Sequence, residues 1–372
     1  MRESNSYVVF FTLLRAGLWE KEVGLASFGE IGFDAVLQIA EEQSVVGLVT
    51  VGLEHVKNVK VPQEVLLEFI GQTLKLEQQN KAMNGFIAKL IERMRVAGIY
   101  TLLVKGQGIA QCYEKPLWRT TGDVDLFLSE DNYEKARRFL TPMASEVDTE
   151  NKYEKHLAMT IDSWVVELHG NLRCGLSSRI DRVLDDIKRN TFGDGNVRSW
   201  INGRTPVFLP IAENDALYVL THILSHFYKG GIGLRQICDW CRLLWTYRAK
   251  IDLKRLEVRI RQAGLMSEWK SFGAFAVNYL GMPSEAMPFY SADKKWKRKA
   301  DKICAFVLEV GNFGHNRDMS YYSNYPFIIR KAISFSKRCG DLIRHAQIFP
   351  LDSFRFLPFM IINGMREALR GK

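Results

Sequence analysis

The cysteine pattern of this 372-residue sequence argues against a disulfide-stapled protein. Six cysteines are scattered along the chain, which is typical of a protein kept in a reducing compartment. Cys238 and Cys241 form a Cys-x-x-Cys pair, but no second pair follows at zinc-finger spacing. We therefore interpret these two residues as packing positions in a helix.

Long apolar runs and targeting signals are also missing. No run reaches the roughly 18 residues that a membrane-spanning helix needs. The apolar segment 7–14 is short, has no cleavage-site pattern and runs directly into Arg15, so it does not fit a secretory signal. The hydrophobic fraction of 47% and the charged fraction of 25% are ordinary for a folded protein. We expect a cytoplasmic protein.

The glycines at 230–233 do not form a known phosphate-binding loop. No Gly-Lys-Ser or Gly-Lys-Thr follows them, so a turn between two helices is the better interpretation. Arg235 would then lie on the first turn of the second helix. It could reach a phosphate there, or it could pair with Asp239 one turn later.

A pair of histidines precedes this turn on an amphipathic helix. Asp215, His222 and His226 are spaced so that they share one helix face. No glutamate stands beside the first histidine, as it does in the metalloprotease signature, although a zinc site is still an alternative. We expect the two histidines to form one wall of a cleft or to hydrogen-bond within the core.

The positive charge is concentrated at the C-terminal end. The segment from Asp293 to Lys372 has 16 Lys or Arg and 7 Asp or Glu, which accounts for the whole formal net charge of +9. Such a segment attracts phosphate-rich ligands, but a solvated helix face is equally consistent with it. Its aromatic residues include Trp296, Tyr321, Tyr322 and Phe335.

The segment 100–127 has the clearest chemical pattern. Its first residues, YTLLV, predict a short buried strand, after which Lys105 and Gly106 form a turn. A second strand begins near Asp123, where carboxylates alternate with apolar residues at the two-residue period of a strand. The side chains of Asp123 and Asp125 are therefore expected to leave the same face of a sheet.

Paired carboxylates at the start of a strand predict a divalent cation. Two adjacent negative charges repel each other unless a positive group lies between them. Mg²⁺ takes oxygen ligands and is commonly held by one or two carboxylates together with substrate phosphates. The alternative is that Asp123 and Asp125 lie on the solvated face of an edge strand.

A third carboxylate is predicted on a later strand. His156–Ile161 and Trp164–His169 fit a hairpin, with Asp162 in its turn. Glu167 faces away from the apolar residues of its strand, so it would join the two aspartates if this strand paired beside theirs. Asp162 is the rival candidate, but a turn position suits hydrogen bonds to the local backbone better.

These motifs belong to an α+β chain with three predicted regions. Residues 1–98 form an N-terminal helical region, whose long helix starts near Pro62 and packs behind the sheet. Residues 99–175 form the α/β core around a small mixed β-sheet. Residues 176–372 form a C-terminal helical region with a basic tail part, in which the segment 196–204 is too mixed to assign.

Together the motifs resemble a known family. The uncharacterised nucleotidyltransferase-like family of the DNA polymerase beta superfamily is similar at Lys105-Gly106, Arg119, Gly122–Leu126 and Glu167–His169. The similar stretch covers roughly residues 100–172. This sequence differs from the superfamily pattern at Gln107, where glycine or serine is usual, and in a longer gap before Asp123.

The resemblance implies a reaction and a set of site residues. A nucleoside monophosphate would pass by two-metal catalysis from an NTP, expected to be ATP, to the hydroxyl of an unknown acceptor, which could be a small molecule, a protein or an RNA end. Catalysis and the binding of Mg²⁺ or Mn²⁺ would fall to Asp123, Asp125 and Glu167. The nucleotide would be bound by Lys105, Gly106, Gln107 and Arg119. Gly106 would let the backbone approach the phosphates, and Lys105 or Arg119 would neutralise the negative charge that builds on the leaving group.

Two other functions are still open on the sequence. A catalytically silent relative would bind a nucleotide or a partner protein and act as a regulator, which the substitution at Gln107 allows. A nucleic-acid-binding protein would use the basic C-terminal part, where aromatic and basic residues are interleaved.

Overall fold

A computed structural model describes residues 2–314 and 325–369. Within these residues one mixed seven-stranded sheet is flanked by helices, which confirms the predicted α+β fold. Tyr321 and Tyr322 lie outside the described residues. No described helix is long and apolar enough to cross a membrane.

The chain opens with the predicted helices. They are α1 Arg2–Trp19, α2 Phe33–Glu42, α3 Val46–Glu54 and α4 Gln63–Val96. The last of these has 34 residues and begins directly after Pro62, whose fixed φ suits the entry to a helix. Its apolar side packs against the sheet through Met83, Ile87 and Met94, as the sequence predicts.

The sheet joins strands from distant parts of the chain. The strands are β1 Leu102–Val104, β2 Val124–Phe127, β3 Glu146–Val147, β4 His156–Ile161, β5 Trp164–His169, β6 Val197–Asn202 and β7 Thr205–Pro210. Their spatial order is β3-β4-β5-β2-β1-β7-β6. Strand β2 is parallel to β5, and β1 is parallel to β7, whereas the other neighbours are antiparallel.

The hairpin of β6 and β7 differs from the predicted helical region after residue 175. Gly203 carries the signal that the sequence interpretation missed, because a glycine at the first central position of a two-residue turn is typical of a β-hairpin. Gly203 has a φ of +63° and takes the first central position of the turn between paired Asn202 and Thr205. The hairpin then adds β7 to the open side of β1.

The remaining helices surround this sheet. They are α5 Gly106–Ala110, α6 Glu130–Leu140, α7 Ser178–Gly193, α8 Ala212–Lys229, α9 Leu234–Tyr247, α10 Leu253–Ala263, α11 Met266–Asn278 and α12 Lys294–Val310, followed by helices at Phe327–Ala346 and Pro350–Leu369. Ser129, Ser177 and Asp252 cap α6, α7 and α10 by accepting a backbone N–H, as expected for cap residues.

Successive residues of the central strands point to opposite sides of the sheet. Val124 and Leu126 of β2 belong to the apolar layer that includes α4 and α6. Asp125, between them, points to the other side, where α8 and α9 stand. On the Asp125 side of β2, Phe127 also packs into the main apolar core, so the polar part of this face is confined to the end of the strand that bears Asp125.

Candidate active site

Three carboxylates meet on the polar face of the central strands. Asp125 on β2 is the direct partner of Glu167 on β5 in a parallel ladder, and Asp123 lies just before β2. One oxygen from each of the three lies within 4.8 Å of the others. The predicted meeting of these side chains is confirmed. Asp162 occupies the turn of the β4–β5 hairpin with a φ of +48°, so it serves the turn.

The two aspartates are electrostatically frustrated. The negative charge of Asp125, and then burial, raise the pKa of Asp123 to about 6. The charge of Asp125 therefore opposes ionisation of Asp123, and a neighbouring cation would relieve the repulsion. An oxygen-rich group of this kind fits the ligand preference of Mg²⁺ or Mn²⁺.

Lys105 supplies one positive charge to the carboxylates. Its Nζ lies 2.7 Å from Oδ1 of Asp125, and the side chain is largely buried. Burial lowers the pKa of Lys105, but Asp125 and the surrounding acidic groups outweigh burial and hold that pKa well above its usual value. The backbone of Lys105 has a φ of +55°, a strained conformation for a residue with a side chain.

Two histidines border the same carboxylates. Nε2 of His169 lies 2.8 Å from Oδ1 of Asp125 and 3.4 Å from Oε2 of Glu167, while Nε2 of His156 lies 3.1 Å from that Oε2. Burial favours neutral His169, but its bonds to Asp125 and Glu167 prevail and raise its pKa. Burial likewise opposes ionisation of Glu167, yet the two histidines hold its pKa below the usual value.

The sequence interpretation gave neither histidine a role. His169 lies two residues after Glu167 on β5, so the strand period alone puts both side chains on one face. His156 could have been found from the hairpin register, because it lies directly opposite His169 in the antiparallel pair. The residue spacing of the hairpin is therefore enough to predict that one carboxylate and two imidazoles share a face.

A cavity of about 490 Å³ opens over these residues. Its far wall includes Tyr218, His222 and His226 of α8, so the histidine pair does form one wall of a cleft. The two Nε2 atoms of the pair lie 3.1 Å apart, and burial lowers both pKa values, that of His226 to about 4. Asp215 is not with them, because it forms a buried ion pair with Arg198.

Arg119 and Arg235 occupy the cavity wall differently. Nε and Nη2 of Arg119 donate to the two carboxylate oxygens of Asp239 at 2.8 and 2.7 Å, so that carboxylate is engaged. Arg235 donates from Nη1 to the carbonyl of Thr120 at 3.0 Å and forms no ion pair within the described part of the chain. Of the two partners predicted for Arg235, Asp239 is therefore excluded.

The charge of Arg235 is poorly compensated. Burial, and then the nearby guanidinium of Arg119, lower the pKa of Arg235 from its usual value. Its Nε is buried and has no hydrogen-bond partner among the described residues. An anion in the cavity would supply the missing partner, because buried donors are normally satisfied.

The two residues of the predicted glycine turn, Gly106 and Gln107, have different surroundings. Gly106 lines the cavity with a φ of +41°, which favours glycine. Gln107 is buried away from the cavity, where its amide donates to Oδ1 of Asn80 in α4 at 2.7 Å. The side chain of Gln107 therefore ties the turn to the helix behind the sheet.

Comparison with known families agrees with this geometry. A family model described as an uncharacterised nucleotidyltransferase matches residues 29–280, which is more than half of the chain and includes the sheet and α8 and α9. No curated protein matches the chain, and no solved structure matches it. The chain belongs to the uncharacterised nucleotidyltransferase family.

Proposed function

We propose that this protein transfers a nucleoside monophosphate from an NTP, expected to be ATP, to the hydroxyl group of an acceptor. The observation that carries the proposal is the meeting of Asp123, Asp125 and Glu167 at the base of one cavity. Membership of a nucleotidyltransferase family supports the reaction class.

The three carboxylates are the proposed ligands of Mg²⁺ or Mn²⁺. Their oxygens are close enough to share one ion, and the raised pKa of Asp123 reflects a repulsion that a cation would remove. When bound, the metal would supply Lewis-acid activation and charge neutralisation. Without it, Lys105 and His169 hold Asp125 in place by contacting the same Oδ1 atom.

Two cations are proposed to bind the phosphates of the nucleotide. Lys105 lies at the carboxylates, and Gly106 beside it leaves the backbone open to the cavity. Arg235 offers a guanidinium that is not committed to a carboxylate among the described residues. Arg119, also predicted to bind the nucleotide, is proposed instead to hold α9 in place through Asp239, and Gln107 to fix the turn from behind.

The test uses the full chain and two positions of radioactive label. NTPs labelled at the α-phosphate are incubated with Mg²⁺, protein and cell extract, in parallel with NTPs labelled at the γ-phosphate. Nucleotidyl transfer puts the α label, and not the γ label, on an acceptor. Asp125→Asn should abolish this labelling, whereas Asp162→Asn in the hairpin turn should leave it intact. Failure of the wild type to bind any NTP in a metal-dependent way by calorimetry would overturn the proposal.

A further inference from the structure

We propose that His156, Glu167 and His169 form a binding site for a divalent transition-metal ion of the class represented by Zn²⁺, next to the carboxylate group. The site is built from the β4–β5 hairpin and does not depend on the proposed transfer reaction. Its three side chains all line the central cavity, which gives an ion access from solvent.

The hairpin register brings the three ligands together. His156 and His169 are direct partners in the antiparallel ladder, and their ring centroids are 4.8 Å apart. Glu167 lies two residues before His169, so it leaves the same face of β5. One potential ligand atom of each residue lies within 4.8 Å of the others.

The distances match those between ligands of a small ion. Oε2 of Glu167 is 3.1 Å from Nε2 of His156 and 3.4 Å from Nε2 of His169. In a tetrahedral site with metal–ligand bonds of about 2.0–2.1 Å, neighbouring ligand atoms are about 3.3 Å apart. The distances from the carboxylate oxygen to the two imidazole nitrogens are therefore those of neighbouring ligand atoms around a bound Zn²⁺.

The orientation of His156 also favours a metal ion placed between its imidazole and the carboxylate of Glu167. Its Nε2 is buried and close to Glu167, yet it makes no aligned hydrogen bond with any residue that the structure describes. A simple ion pair would be expected to align the N–H with the carboxylate oxygen. Neutral imidazole nitrogen is instead a common ligand of Zn²⁺.

The two ligand sets differ in the kind of metal ion that they favour. Two imidazoles and one carboxylate suit first-row transition ions, whereas Mg²⁺ prefers oxygen ligands alone. Glu167 belongs to both ligand sets, so an ion at the histidines would fix the carboxylate that the other set also uses. The pair His222 and His226 offers no comparable set, because no third ligand completes it among the described residues.

Direct metal binding tests the proposal without any measurement of turnover. The full chain is freed of metal with EDTA and titrated with Zn²⁺ by calorimetry, and with Co²⁺ while its visible absorption is recorded. We expect one Zn²⁺ per chain and a Co²⁺ spectrum that indicates nitrogen ligands. His156→Ala and His169→Ala should each weaken Zn²⁺ binding by about tenfold or more. Mutation of a residue that only supports a metal ligand already costs about that much, and loss of a ligand should cost at least the same.

Three controls make the result specific. His222→Ala removes another histidine of the same cavity and should leave Zn²⁺ affinity unchanged, as should Asp123→Asn. His156→Gln keeps a polar side chain on the strand and serves if the alanine variant does not fold. The proposal is overturned if the wild type does not bind Zn²⁺, if His156 variants bind it normally, or if His222→Ala abolishes binding. Loss of NTP labelling with Zn²⁺ binding intact would affect only the proposed function.

Discussion

Asp125 and Glu167 are direct partners on the neighbouring parallel strands β2 and β5. Their relative position is therefore set by a backbone ladder that also pairs Val124 with Val166 and Leu126 with Leu168. Those apolar partners are fully buried on the opposite face. A one-residue slip would expose them, so the packing of the core fixes the spacing of the two carboxylates.

Neutralising either aspartate should abolish transfer without unfolding the protein. Asp123→Asn and Asp125→Asn are expected to lower metal-dependent NTP turnover by at least about 100-fold, because each removes a preorganised charged group. Circular dichroism should stay unchanged. Asp162→Asn is the matched control, since asparagine tolerates the positive φ of that turn. Retained turnover in both site variants would contradict the assignment.

Removing the charge of Lys105 should destabilise the metal-free protein. Lys105→Met leaves Asp125 without its closest cation and is expected to lower the free energy of unfolding by about 3–5 kcal/mol. Mg²⁺ should restore part of this loss, because it would neutralise the same carboxylates. Denaturant titrations with and without Mg²⁺ measure both effects. Equal stability of wild type and variant in EDTA would show that the ion pair contributes nothing.

Arg235 and Arg119 should respond differently to truncation. Arg235→Ala is expected to weaken NTP binding by about 10–100-fold, the value of a charged hydrogen bond, with little change in stability. Arg119→Ala leaves the buried carboxylate of Asp239 without its cation and should lower the free energy of unfolding by about 3–5 kcal/mol. Calorimetry with NTP and denaturant titration separate the two results. If Arg119→Ala weakened NTP binding with unchanged stability, the assignments would be reversed.

Glu268 on α11 should make stability depend on pH. Burial, and then the nearby Asp352, raise the pKa of Glu268 well above its usual value. The folded state thus holds this proton more tightly than the unfolded chain, so its stabilising contribution is complete below about pH 4 and is lost as pH rises through the folded pKa. Glu268→Gln cannot ionise and should gain stability relative to wild type from pH 5 to pH 8.

The control for this pH effect lies on the preceding helix. Glu257 of α10 is partly exposed and pairs with Arg261, so Glu257→Gln should show no comparable gain. Denaturant titrations of the wild type, Glu268→Gln and Glu257→Gln at pH 5 and at pH 8 test this prediction. A constant difference between Glu268→Gln and wild type would mean that Glu268 is ionised throughout this range.

Local patterns in the sequence were enough to predict the three carboxylates as candidates. The two-residue period placed Asp123 and Asp125 on one face of their strand and Glu167 on the polar face of its own, and the hairpin signal located Asp162 in a turn. That the three carboxylates meet depends on the pairing of β2 with β5, which could only be assumed from the sequence. Partner choice across the sheet was beyond such patterns, because β1 pairs with β7 over a separation of about one hundred residues. The assignment of Asp239 to Arg119 likewise depends on how α9 docks, which no spacing within the sequence specifies.

The pairing of β1 with β7 has a consequence for dissecting the chain. A fragment limited to the predicted α/β core at 99–175 would end before β7 and leave one side of β1 without hydrogen bonds. Bare strand edges recruit other chains, so such a fragment should aggregate rather than serve as a minimal enzyme. The shortest useful piece must extend through α9, since only then are the sheet edge and the arginine wall both supplied.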